Sequence, residues 1–238
     1  MVETQIYNPM DGINRMISDF ESFISPMVYH FQPLMRIMGI INLPFVLIVF
    51  ALILFYLVFK RKHTIKTKLA DPKNYYFLGA MLLIYIFLAD NPLRLGPTFN
   101  ISFGLVVMPI VAKKLGPLIA GGFGIVQYAA MFILHSGEAF SITNLLIAAI
   151  SGMLYGWILY VRPTTYFRVL WAKFAVNMLC NVILVPMLTA NVMSTELADF
   201  ITNTIVSNIM LAPIQAVVIY ASIMALKRLK DAMSEEQE

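Results

Sequence analysis

Seven apolar blocks organise this chain, at approximately 38–59, 74–91, 101–115, 117–134, 140–161, 167–189 and 197–226. Each is read as a helix crossing a bilayer, because about 20 apolar residues cover a hydrocarbon core of ~30 Å. Several are short for that length. Ahead of them, residues 1–35 are mixed. Ile13, Met16, Ile17, Phe20, Phe23 and Ile24 recur at three- and four-residue spacing against Asp11, Asp19 and Glu21. That pattern describes an amphipathic helix with an acidic wet face. An anionic headgroup surface would repel it, so it is expected to pack on the protein or lie on the outer side. The predicted organisation is an external amphipathic segment (1–35), an additional transmembrane anchor (36–60), a basic linker (61–73), a bundle of six helices (74–230) and a cytoplasmic tail (231–238), with solvated disorder expected from Ser234 to Glu238. The fold class is an all-α integral membrane protein.

Composition supports the membrane reading. The chain has 238 residues, 60% hydrophobic and 13% charged, about half the charge that a soluble domain carries. The basic residues give its direction. Lys60, Arg61, Lys62, Lys66, Lys68 and Lys73 follow the first block, and alternating the blocks puts Lys113, Lys114, Arg162, Arg168, Lys173, Lys227, Arg228 and Lys230 on the same side. Only Arg15, Arg36 and Arg94 fall on the other. Positive charge stays inside, which predicts an outer N-terminus and a cytoplasmic C-terminus. The net charge of +4 therefore reads as membrane orientation, and no nucleic-acid partner is expected. The positive charge follows the first block, so that block reads as an anchor and not as a cleaved signal. Cys180 is the only cysteine and has no partner for an internal disulfide.

The chain lacks a GxxxxGK[ST] phosphate loop, an HExxH and a GxSxG, so ATP hydrolysis and the usual hydrolytic sites are not expected. His30, His63 and His135 are far apart, and neither a metal nor a cofactor is predicted. Ionisable residues sit near block ends, with Lys173 the deepest, which argues against self-powered ion-coupled transport. The polar residues inside the blocks are mostly uncharged and lean to the outer halves. Asn177 and Asn181 share one helix face, as do Thr204 and Asn208, with Asn203 and Ser207 beside them. Thr143 and Asn144 lie in the outer half of the fifth block, and Gln127 and Tyr128 in the fourth. Taken singly, each is explained as well by helix–helix hydrogen bonding; as a set they suggest a ligand pocket. The segment Asp90–Phe103 (DNPLRLGPTFNISF) reads as a structured outer loop, in which Arg94 could pair with an anionic ligand or with Asp90. His135–Glu138 lies on the same side. Gly116, Ala120 and Gly124 form a small-residue stripe, suited either to packing inside the bundle or to docking on another membrane subunit.

FNISFGLVVMPIVAKKLGPLIAGGFG, FSITNLLIAAISGMLYGWILY and SNIMLAPIQAVVIYASIMALKRL occur in that order. Together they resemble the S components of energy-coupling factor (ECF) transporters, nearest the folate-type branch, over about residues 74–230. The resemblance implies a bacterial plasma-membrane subunit, not an enzyme, that captures a vitamin from outside. It further implies partners: a transmembrane scaffold subunit and two ATPase subunits. The implied ligand contacts are the Arg94–Phe103 loop with Asn100, Ser102 and Phe103, the loop from His135 to Phe140, and the helices carrying Asn144, Asn181 and Asn203. Ala80 marks the implied scaffold-docking signature. Asn100 and Ser151 stand where folate-type members carry arginine, and Ile84 follows Ala80 at four residues. The resemblance thus leaves the ligand open between folate and another vitamin or cofactor precursor such as cobalamin. The bland alternative is a non-transporting membrane scaffold.

Overall fold

The computed structural model describes residues 12, 15–30, 33, 68, 70–89, 93–95, 99–135, 140–186 and 197–235. The anchor expected at 36–60 lies outside these residues, as does most of the basic linker.

Residues 15–30 form α1. Then follow α2 (Pro72–Ala89), a hairpin of β1 (Leu93–Leu95) and β2 (Phe99–Ile101), and a 3-10 turn (Phe103–Val106) leading into α3 (Val107–Leu115). The rest is α4 (Pro117–Leu134), α5 (Ile142–Leu159), α6 (Tyr166–Val176, continuing as a π-helix over Asn177–Leu184) and α7 (Leu197–Glu235). Among the described residues the regular structure is helical apart from the hairpin. Five of these helices are long and apolar enough to cross a membrane. The block expected as a span at 101–115 is not among them. The turn and α3 together reach only roughly 22 Å at the usual rises. α7 runs through Glu235, so the first two residues of the stretch expected to be disordered are helical, and 236–238 lie outside the described residues.

Local chemistry sets the joints. Gly116 closes α3 with a φ of 93°, a left-handed value that favours glycine, and Pro117 opens α4 at its first position. The Ser141 hydroxyl accepts from the Asn144 N–H at 3.2 Å and caps α5. Thr165 caps α6 in the same way, through the Arg168 N–H. Pro213 sits inside α7, and the carbonyl of that proline accepts from the Tyr166 hydroxyl at 3.4 Å.

The core lies between α3, α4, α5, α6 and α7, built on Val107, Val111, Ala120, Leu159, Val169, Ala172 and Ile219. Backbones of α4 and α5 approach so closely that a methyl at Gly124 would overlap the Ala148 carbonyl, and one at Gly152 the Ala120 carbonyl. Of the residues expected on the apolar face of α1, Ile17 and Ile24 are buried, but Met16 and Phe23 are exposed. The buried stripe runs Ile17–Ile24–Val28 and packs on Ile201, Val206 and Leu211 of α7.

Candidate functional site

One end of the bundle gathers cations. The Lys68 ammonium donates to the Lys114 and Leu115 carbonyls and lies over the Tyr160 ring. The Lys113 ammonium donates to the Leu159 and Arg162 carbonyls, and the Lys114 ammonium lies over the Phe77 ring. The Lys68 and Lys113 ammonium groups meet the C-terminal carbonyls of α3 and α5, where helix geometry leaves carbonyls without a partner in the helix. Arg168 donates to the Pro163 carbonyl at the same end, at 2.6 Å.

Most of the sequence-derived ligand residues occupy the opposite end. Arg94 and Asn100 stand directly opposite each other in the hairpin register. Ser102 has structural duties: its hydroxyl accepts from the Gly104 N–H and donates to the Leu88 carbonyl at 3.5 Å. Phe103 begins the 3-10 turn, half-buried. Tyr128 accepts from the Ser141 N–H at 2.8 Å, and its ring meets Phe140 at 5.8 Å. Together they tie α4 to the start of α5. His135 ends α4 exposed, its Nδ1 at 3.1 Å from the Met131 carbonyl. Asn144 and Asn203 are exposed, and Ser207 is half-buried. The residues that would rim a pocket beneath the hairpin, 90–92, 96–98 and 136–139, lie outside those described.

Deeper in the same half, the amides of α6 and α7 form a ladder. Asn177 Nδ2 donates to the Asn208 carbonyl and Asn181 Nδ2 to Asn208 Oδ1, both at 2.9 Å. Asn208 Nδ2 then donates to the Thr204 carbonyl at 2.7 Å. Asn177 and Asn181 belong to the π-helix, a form that recurs at functional sites. Among the described residues three buried polar atoms keep unmet capacity: Asn177 Oδ1, on a fully buried residue, Gln127 Nε2, on a residue 4% exposed, and Gln215 Oε1, further along α7. The lone Cys180 is buried beside Ser151. Sequence reasoning missed this pair, since nothing in the spacing of two separate helices signals it.

The small-residue stripe is corrected by the structure as a docking surface. Gly116, Ala120 and Gly124 are all buried. The last two face α5, where Gly152 and the Ala148 carbonyl fill the space. A partner cannot reach them. Ala80, in contrast, is exposed on α2, alongside Leu83, Ile84 and Phe87. Among the described residues, no group of three or more His, Cys, Asp or Glu side chains could hold a metal ion.

No family model and no curated protein sequence matches the chain. A solved structure does: the crystal structure of FolT bound with folic acid, at 22% identity and a TM-score of 0.55. The match covers 63% of this chain and 92% of that one. At this identity the likeness speaks for the fold, and this chain shares the helical membrane fold of FolT.

Proposed function

We propose that the chain is the substrate-capturing membrane subunit of an ECF-type vitamin importer. It takes folate or another B-type vitamin, such as cobalamin, from outside and delivers it through a membrane scaffold and two ATPase subunits. The observation that carries this reading is the shared fold with a protein crystallised with folic acid. The end opposite the cation cluster supports it further. That end is the outer one under the positive-inside rule; it holds the hairpin in which Arg94 pairs with Asn100, and His135, Asn144 and Asn203 are exposed there. The unmet capacity of Gln127 and Asn177 suits a polar ligand, because a buried amide without a partner is costly. The exposed face of α2 around Ala80 is the proposed scaffold contact.

A second reading, a non-transporting scaffold, is favoured by the amide ladder, which satisfies Asn181 internally. Mass spectrometry of small molecules co-purifying with the detergent-solubilised chain separates the two, backed by titration with folic acid and with cobalamin. Capture of one vitamin is expected. An empty protein that binds neither compound would leave the scaffold reading standing. Asn181→Leu sharpens the distinction. Loss of vitamin binding with normal yield is expected for a ligand contact, whereas failure to purify would mark a purely structural residue.

A further inference from the structure

Between α1 and the first turns of α7 lies a cavity of about 350 Å3. Its walls are Phe20, Phe23, Met27 and Val28 on one side and Ile201 and Ile205 on the other, with no polar side chain among them. We infer that this cavity holds one acyl chain of a membrane phospholipid, clamped between α1 and α7.

The lining excludes the other small occupants. A buried water needs two to four polar partners, and the walls supply none. A vitamin with amide and carboxylate groups would leave them unpaired there, so this site is distinct from the proposed vitamin site. An apolar cavity of about 150 Å3 takes one benzene ring, so the volume here has room for roughly a dozen carbon atoms. Ile201 and Ile205 belong to the part of α7 read as membrane-crossing, which begins at Phe200. The cavity therefore opens where acyl chains are the most abundant apolar groups. α1 has the character of an interfacial helix. It buries Ile17, Ile24 and Val28 on α7 yet leaves Phe23 74% exposed and Met16 and Met27 exposed beside it. Methionine and phenylalanine walls adapt readily to a flexible hydrocarbon.

Native mass spectrometry of the full chain, released from micelles doped with dioleoyl phosphatidylcholine, tests the inference. One phospholipid per chain should persist after activation strips the detergent. Val28→Phe and Ile205→Phe fill the cavity from opposite walls, and each should cut the retained fraction roughly tenfold. Leu83→Phe, on the exposed face of α2, should leave it unchanged. Equal retention in helical, filled variants would overturn the inference, as would a lipid-free natural chain or a second copy of the chain in place of the lipid. If both filled variants lose helical content, a second measurement decides. Phe20→Trp, in a chain with Trp157 and Trp171 changed to Phe, is titrated with dibrominated phosphatidylcholine in micelles. Quenching that saturates at one lipid per chain supports the clamp, and quenching that rises without saturation overturns it.

Discussion

Asn208 serves three partners, accepting from Asn177 and Asn181 and donating to the Thr204 carbonyl. In hydrocarbon such bonds contribute about 0.6 kcal/mol on average, but leaving one member stranded costs about 1–3 kcal/mol. Asn208→Leu strands the Asn181 amide and removes the bond to Thr204. The melting temperature of the detergent-solubilised chain should therefore fall by roughly 3–10 °C, given ~2–4 °C per kcal/mol for a chain of this size. An unchanged melt would show that the ladder adds nothing to stability. Cys180 offers a second reading of the same region. Its side chain is fully buried and a thiol must be exposed to react. Maleimide should label the native chain roughly a hundredfold more slowly than the unfolded one, if local opening there costs about 3 kcal/mol. Rapid native labelling would place the thiol in an open cleft.

Helix packing turns on how near two backbones can come. At Gly124 and Gly152 the nearest neighbours are carbonyl groups of the facing helix, and neither can move aside without shifting a backbone. Gly124→Leu or Gly152→Val should cost well over the ~1–3 kcal/mol of ordinary overpacking, read as lost yield of folded protein. Gly122→Ala, with open space around it, should change the melting temperature by no more than about 2 °C. Normal yield of Gly124→Leu would sink this account of the interface. The sequence showed the small-residue stripe but not which surface would use it, because spacing defines a helix face without naming its neighbour. The helices at 72–89, 117–134 and 142–159 were legible for a simple reason: a long apolar run with proline, glycine or a hydroxyl cap at its edge has few alternatives. The joints within the second bundle element were not legible, since apolar character continues from the hairpin through the 3-10 turn into α3 without a break. The π-register of 177–184 left no trace in a 3.6-residue pattern. It shows instead in the Val185 N–H, which reaches five residues back to the Cys180 carbonyl. At the candidate site, the face shared by Asn177 and Asn181 was readable from their spacing. Asn208 was recognised as sharing a face with Thr204, but its role as the hub across two helices depends on how α6 lies on α7.

At the scale of the whole molecule, the two ends of the bundle differ in charge for reasons that sequence and structure reach independently. Alternating apolar blocks sort the cations to one side. In the fold, Lys68 and Lys113 then cap the C-terminal carbonyls of α3 and α5. These lysines thus serve both helix termination and topology. Moving them across a bilayer would cost several kcal/mol each, so the orientation should be unique rather than mixed. Single-cysteine chains test this, built on Cys180→Ser to remove the buried thiol. His135→Cys and Asn203→Cys, exposed at the end opposite the cations, should react with a membrane-impermeant maleimide on intact cells. Lys230→Cys, exposed on α7 at the cation-bearing end, should react only in inverted vesicles. The reverse pattern would place the hairpin, His135 and the amide ladder on the cytoplasmic side. A protein that captures a vitamin from outside could not be built that way, so this labelling decides whether the proposed site faces its substrate. Labelling of all three on intact cells would mean mixed insertion, and the cation cluster would then serve helix capping alone.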